Sequence, residues 1–187
     1  LLLSINCSFV LATTKQDSSM YFSFYNKRLI SINPYRPPKP FFWTARLSVD
    51  YAAFVGVEKT FFSYKKYFSL SYGVSVGVLG TNSKNIDNIN VISLYAISRI
   101  YVLSLDSFRL FILYSPGGPS LLSKRAFSDT KFSNSFVFQN QLGLGFDLGS
   151  SKQFSVLLKI YHFSNGDLFA INGGIDTPLL LGLGLKI

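Results

Sequence analysis

The sequence predicts an all-β fold, an eight-stranded antiparallel transmembrane β-barrel, and three observations lead to it. Charged residues make up only 14% of the 187 residues and aromatic residues 17%, so the chain is apolar for a soluble domain and too aromatic for disorder. No apolar run reaches the roughly 18 residues that a spanning helix needs. Several segments alternate between apolar and small or polar residues, and a closed β-barrel is the other structure that crosses a bilayer.

The first segment, residues 1–12, is apolar and ends in Val10-Leu11-Ala12, a pattern typical of signal-peptidase cleavage. We therefore expect residues 1–12 to be a truncated signal peptide and residues 13–187 to form the barrel domain. Cys7 lies within the first segment, but Ser4-Ile5-Asn6 before it is a poor lipobox. A short hydrophobic strand is the alternative interpretation of this segment.

The rest of the chain divides into eight strand candidates separated by turn-forming segments. Four prolines in residues 34–40 remove four backbone donors, so we expect a loop there. Residues 81–85 are polar and predict a second loop, and Gly117-Gly118-Pro119 predicts the start of an irregular connection that runs to residue 133. The strand candidates are residues 20–32, 41–58, 61–79, 91–103, 108–114, 135–148, 154–164 and 180–187.

The alternation in these strands is the inverse of the soluble pattern. One face carries large apolar side chains, and the other carries glycine, glutamine, aspartate or lysine. Small and polar residues suit the narrow interior of an eight-stranded barrel, and apolar residues suit a lipid-facing wall. A soluble lipocalin-like barrel, the alternative, would need charge on its outer surface. We expect Gln141, Lys159 and Lys186 to point inward, and Leu142, Leu144, Phe146, Leu181, Leu183 and Leu185 to point outward.

The formal net charge of +9, from 18 Lys and Arg against 9 Asp and Glu, predicts an anionic partner. Nucleic acid is disfavoured because the basic residues do not form a stripe interleaved with aromatic residues. Phosphorylated lipid at a membrane surface fits the apolar body better. The basic residues expected at the barrel rims and in loops are Arg36, Lys39, Lys65, Lys66, Lys124, Arg125 and Lys131.

The single histidine, His162, stands two residues before Ser164 at the end of an apolar strand. Residues i and i+2 of a strand share a face and lie about 6.6 Å apart along it. Asp176 follows one hairpin later, so it can approach His162 from the next antiparallel strand. This is the nucleophile, base and orienting acid of acyl transfer. A half-buried histidine without a catalytic role is the alternative.

Strand parity predicts that this group lies on the outer face. Lys159 must point inward, so His162 and Ser164 face lipid. Polar side chains exposed to lipid are costly, and a site for a substrate that arrives from the bilayer would justify them. Asp176 has the parity of the inward positions of the last strand. One extra residue at Thr177-Pro178, a β-bulge, would turn it outward.

Three motifs together resemble a known family, the outer-membrane lipid A 3-O-deacylases, or PagL family. They are Phe138-Gln139-Asn140-Gln141-Leu142-Gly143-Leu144-Gly145-Phe146, His162-Phe163-Ser164-Asn165 and Asn172-Gly173-Gly174-Ile175-Asp176. The resemblance covers residues 138–187 well and the upstream strands only in pattern. It implies an eight-stranded barrel in the cell outer membrane whose site lies on the lipid-facing surface.

The resemblance also implies roles for the residues that match. Ser164 corresponds to the nucleophile, His162 to the general base, Asn172 to an oxyanion-hole donor and Asn165 to a residue that supports the loop. The third catalytic position is usually glutamate in this family, whereas this chain has Asp176, which is one methylene shorter. The only glutamate in the sequence, Glu58, is far from the motif.

By resemblance, we expect a serine esterase that hydrolyses the 3-O-linked hydroxyacyl ester of lipid A, so residues 13–187 would be a deacylase domain. The expected partner is lipid A or lipopolysaccharide, not nucleic acid, and a homodimer stays open. We expect neither metal nor cofactor, because one histidine and no cysteine beyond residue 12 give a transition metal little to bind. The alternatives are a non-enzymatic structural or adhesin-type barrel and a palmitoyltransferase-type barrel, which would need an inward-facing site.

Overall fold

The computed structural model describes residues 17–26, 47–82, 87–128 and 130–187. Several predictions fall outside these residues: the signal peptide at 1–12 with Cys7, the proline-rich loop at 34–40 with Arg36 and Lys39, and residues 83–85 of the polar loop. The same holds for residues 27–32 of the first predicted strand and 41–46 of the second. No helix in the described part of the chain is long and apolar enough to span a membrane.

The described chain is built from eleven β-strands. They are β1 (Ser18–Asn26), β2 (Leu47–Ser48), β3 (Tyr51–Tyr64), β4 (Phe68–Thr81), β5 (Asp87–Ser104), β6 (Phe108–Leu122), β7 (Ala126–Phe127), β8 (Thr130–Lys131), β9 (Phe136–Leu148), β10 (Phe154–Ser164) and β11 (Ile175–Lys186). The eight long strands pair in the order β1-β3-β4-β5-β6-β9-β10-β11, and β11 pairs with β1. The predicted closed eight-stranded antiparallel barrel is therefore confirmed.

Several predicted strand boundaries are wrong. The described part of the predicted strand 41–58 is divided into β2 and β3, β5 begins at Asp87 and not at residue 91, and β11 begins at Ile175 and not at residue 180. At two further boundaries a β-bulge lies near the error. The stretch 61–64 belongs to β3, because the chain turns at residues 65–67 and not before Phe61. A register shift between Thr60 and Phe62 leaves both Phe61 and Phe62 exposed, so the alternation is lost there. Similarly, β6 does not end at residue 114 but continues to Leu122. A register shift between Ser115 and Gly118 accommodates the glycines, and β6 stays paired with β9 on both sides of the shift.

The predicted orientation of the side chains is confirmed. Gln141 and Lys159 are 0% and 2% exposed inside the barrel, and Lys186 forms an ion pair with Asp17 at the interior rim. On the opposite face Leu144, Leu183 and Leu185 are exposed, and the other three predicted positions are partly exposed. The outer wall carries a band of exposed apolar residues that includes Val57, Val74, Val76, Ile92, Leu94, Val102 and Ile112. This wall is suited to lipid.

The interior contains more aromatic residues than the alternation predicted. Tyr21, Tyr95 and Phe111 belong to one buried apolar cluster, and a second cluster lies nearer the carboxyl end of β10. Inward glycines make room for the rings: a Cβ at Gly184 would overlap Tyr21, and a Cβ at Gly145 would overlap Phe111. The narrow lumen is therefore filled by side chains and is not an open channel.

A buried charge pair lies among these rings. Arg99 forms an ion pair with Glu58 and also donates hydrogen bonds to Ser71 Oγ and Tyr21 OH, each 3.1 Å long. Tyr95 OH donates to Glu58 Oε1 at 3.1 Å. Because both charges have several polar partners, the cost of burying them is offset. The only glutamate of the chain is thus committed to the lumen.

The two ends of the barrel differ in the length of their connections. The turns β3–β4, β5–β6 and β9–β10 are short, whereas β6–β9 and β10–β11 are joined by residues 123–135 and 165–174. In outer-membrane barrels the short turns face the periplasm and the long loops face outside. The carboxyl end of β10, which carries His162 and Ser164, lies at the end with the long connections, which is the outer end in such barrels.

The described basic residues of the predicted rim set are indeed outside the strands of the barrel wall. Lys65 and Lys66 are exposed in the β3–β4 turn, and Lys124, Arg125 and Lys131 lie within the long β6–β9 connection. Lys124 forms an ion pair with Asp87. The second long loop, residues 165–174, follows Ser164 at the same rim. The cations of the β6–β9 connection are therefore at the end of the barrel that carries the candidate site.

A charge placed on the lipid-facing wall should weaken the folded barrel. We expect Leu144→Arg to lower the free energy of unfolding by about 2–4 kcal/mol, the usual cost of arginine near the bilayer midplane. Leu105→Arg, in the exposed β5–β6 turn, should cost much less. Urea titration in lipid vesicles, followed by the gel mobility of folded and unfolded protein, measures both. Equal destabilisation by the two substitutions would contradict a membrane-spanning wall.

Candidate active site

The candidate residues lie on the outward face of β10, but they are not exposed to lipid as the sequence predicted. Phe154 and Leu158 of this face are exposed, whereas His162 and Ser164 are only 6% and 9% exposed. The expectation of lipid-exposed polar side chains is therefore wrong in its degree of exposure. Enclosure by the protein removes most of the cost that hydrocarbon would impose on these groups.

The predicted β-bulge near Thr177 is confirmed. Lys159 pairs with Leu180, but Tyr161 pairs with Thr177, so two residues of β11 stand opposite the single residue Ile160. In a regular strand Asp176 would share the inward side of Leu180, which is fully buried in the lumen. The extra residue reverses the parity, and Asp176 turns to the outer face.

Asp176 and His162 are direct cross-strand partners. Asp176 Oδ1 lies 2.7 Å from His162 Nδ1, and both side chains are buried. Side chains directly opposite each other in an antiparallel pair are about 4.5–5.5 Å apart at Cβ, so a short aspartate reaches the imidazole without a longer side chain. A carboxylate that accepts a hydrogen bond from Nδ1 leaves Nε2 as the basic nitrogen of the neutral ring.

The strand that carries Asp176 is held on both sides. On one side it pairs with β10, and on the other Asp176 is paired with Ser48 of the short parallel strand β2. The backbone N–H of Val49 donates a hydrogen bond to Asp176 O at 3.1 Å. The position of the carboxylate is therefore fixed by backbone pairing and not by a mobile loop.

Asn165 and Asn172 organise the loop that follows Ser164. Asn165 is 1% exposed; its Nδ2 donates to Ile171 O at 2.9 Å, and its Oδ1 accepts from Asp167 N at 3.0 Å. Asn172 Oδ1 accepts from Asn165 N at 3.0 Å, and Asn172 Nδ2 donates to Asp167 Oδ1 at 2.8 Å. These bonds brace the loop against the end of β10.

The β6–β9 connection contributes residues that the sequence analysis did not single out. Ser133 Oγ accepts a hydrogen bond from Ile171 N at 2.7 Å, and Phe132 forms a β-bridge with Asn172. A Cβ on Gly173 would overlap Thr130, so only glycine allows this close approach. The adjacent glycines at 173 and 174 were the only sequence signal, since contacts between loops leave no periodic pattern.

The only glutamate of the sequence lies apart from the site. Glu58 is 3% exposed in the lumen, whereas His162 lies on the outward face of the wall. Glu58 therefore cannot take the place of Asp176. Within the described ranges, no group of three or more His, Cys, Asp or Glu side chains is arranged to hold a metal ion.

Comparison with known proteins connects this geometry to a family. The family model described as lipid A 3-O-deacylase (PagL) matches residues 44–181, well over half of the chain. A solved structure, the crystal structure of the outer membrane enzyme PagL, has a TM-score of 0.58 and 16% identity, and covers 92% of this chain and 99% of that chain. No curated protein matches the sequence. The predicted family is therefore confirmed: the chain belongs to the lipid A 3-O-deacylase (PagL) family.

Proposed function

We propose that this outer-membrane enzyme removes the 3-O-linked hydroxyacyl chain of lipid A by serine-esterase chemistry, with Ser164 as nucleophile, His162 as general base and Asp176 as the acid that orients the imidazole. The observation that carries the proposal is the 2.7 Å contact between His162 Nδ1 and Asp176 Oδ1. Both residues lie on the outward face, and His162 stands two residues before Ser164. A structural barrel would not need a buried acid opposite a buried histidine at this place.

The reaction proceeds in two steps. In the first, Ser164 Oγ attacks the ester carbonyl, His162 takes the hydroxyl proton, and the carbonyl oxygen becomes an oxyanion. The C–O bond to the sugar then breaks, and His162 returns the proton to the leaving sugar 3-oxygen. In the second step water attacks the acyl-enzyme with His162 again as base, which releases the hydroxy fatty acid and restores Ser164.

Asn172 remains our proposed donor to the oxyanion. A primary amide carries two N–H groups, and one of those on Asn172 Nδ2 donates to Asp167 Oδ1. Its Oδ1 accepts from the backbone of Asn165, which orients the amide. Asn165 would support the loop and would not touch the substrate, as its own bonds to loop backbone groups suggest.

The position of the site supports access from the bilayer. The outward face of β10 continues the apolar wall, and the site lies at the end with the long loops. Lipid A is an acylated, phosphorylated disaccharide, so its chains can lie along the wall while its sugar reaches the rim. The exposed cations Arg125 and Lys131 of the neighbouring connection suit its phosphate groups, with effects limited by screening.

The catalytic assignment predicts the outcome of two substitutions. Ser164→Ala and His162→Ala should each abolish deacylation, and the double variant should be no worse than either, because the members of such a triad act as a unit. Mass spectrometry of lipid A from cells that express each variant measures the loss of one hydroxyacyl group. Ser155→Ala, an inward serine on the same strand, is the matched control and should stay active. Full activity in Ser164→Ala would refute the serine-esterase proposal.

Substitutions of the acid test whether the site is built for aspartate. Asp176→Asn should lower the rate strongly without abolishing it, because an amide can favour the wrong imidazole tautomer. Asp176→Glu should also lower it, since the direct cross-strand pairing leaves no room for an extra methylene between carboxylate and ring. Initial rates on purified lipid A in detergent measure both. A rise in rate with Asp176→Glu would show that the backbone is set for the longer acid.

A further inference from the structure

The bulge that turns Asp176 outward interrupts the ladder between β10 and β11, and one side chain beside it bonds to the backbone of the facing strand. Thr177 is fully buried and stands opposite Tyr161. Its Oγ1 accepts a hydrogen bond from Tyr161 N at 3.0 Å and lies 3.3 Å from Tyr161 O, to which it donates. A single hydroxyl can make both bonds, because it carries one donor and two acceptor sites.

These two bonds hold the backbone of the pair beside the bulge, since Tyr161 and Thr177 are register partners there. Buried backbone N–H and C=O groups are almost always hydrogen-bonded, and next to the bulge the threonine hydroxyl bonds to both of these groups of Tyr161. Pro178 follows Thr177, and it has no N–H to offer to a ladder. Proline therefore disfavours the regular pairing, and the threonine hydroxyl stabilises the bulged one.

We propose that Thr177 is a positioning residue for the deacylation reaction: its hydroxyl fixes the bulge, and the bulge holds Asp176 opposite His162. The inference rests on the proposed function of His162 and Asp176. Loss of the bulge would shift the register by one residue and direct Asp176 toward the lumen. A partial loosening would leave the imidazole without a fixed carboxylate while Ser164 stays in place.

Thr177→Val is the substitution that tests this role, because valine keeps the shape and removes the hydroxyl. We expect kcat on lipid A in detergent to fall by roughly 10- to 100-fold with little change in KM, as is usual for a catalytic group displaced by about 1 Å. Thr177→Ser should keep kcat within about threefold of wild type, since serine supplies the same hydroxyl. The matched control is Thr81→Val, at a buried threonine whose Oγ1 has no hydrogen-bond partner among the described residues.

A double-mutant cycle separates positioning from general destabilisation. In the Asp176→Asn background, Thr177→Val should lower kcat by less than about twofold, because residues that act through one another are not additive. An equal fold-loss in both backgrounds would overturn the proposal, and so would unchanged kcat in Thr177→Val alone. If the valine variant does not insert, the comparison of Thr177→Ser with Thr177→Ala decides the same question, since both are smaller than threonine and differ in the hydroxyl.

Amide hydrogen exchange tests the bulge without using activity. Thr177→Val should speed exchange at the Tyr161 amide, and Thr177→Ser and Thr81→Val should not. Unchanged protection in Thr177→Val would refute the pinning of the bulge by this hydroxyl. Because exchange does not depend on the reaction, its result stays informative if the Ser164 assignment fails, so the two failures can be told apart.

Discussion

The pairing of β1 with β11 is the constraint on which the rest of the structure depends. In a bilayer every backbone group must be paired, and this seam closes the barrel. Its register runs from Ser19 opposite Lys186 to Phe24 opposite Leu181, and it ends there. The bulge at Pro178 and Leu179 lies just beyond the seam, where β2 replaces β1 as the neighbour of β11. The barrel can therefore change parity at the site without losing closure.

Two acids of the barrel have different positions, and the one extra residue of the bulge sets the position of Asp176 alone. Glu58 faces the lumen and neutralises Arg99. Neither charge is therefore left unpaired in the narrow interior. Asp176 faces outward and contacts His162. The lumen pair neutralises two buried charges, whereas we propose that the outward pair at the rim serves chemistry on a substrate from the bilayer. The short aspartate suffices because strand pairing, and not side-chain reach, brings it to the imidazole.

The proline after Thr177 predicted the bulge that brings Asp176 to His162, and alternation in the sequence predicted the eight strands and the faces of residues such as Leu144 and Lys159. It did not predict the end of β3 at Tyr64 or the continuation of β6 to Leu122, because neighbouring bulges erase the local period. The burial of Ser164 and the double hydrogen bond of Thr177 also escaped it. Both depend on contacts between separate segments, and the register between two strands cannot be predicted from either strand alone.

We propose that Ser164 is a nucleophile activated by the pair of His162 and Asp176, and covalent labelling tests this proposal most directly. Folded protein in detergent is treated with a fluorophosphonate, and the modified peptide is identified by mass spectrometry. We expect one adduct on Ser164 that forms rapidly in the wild type, slowly in Asp176→Asn and not in His162→Ala. An adduct on another serine, or equal labelling of Ser164 in His162→Ala, would contradict it.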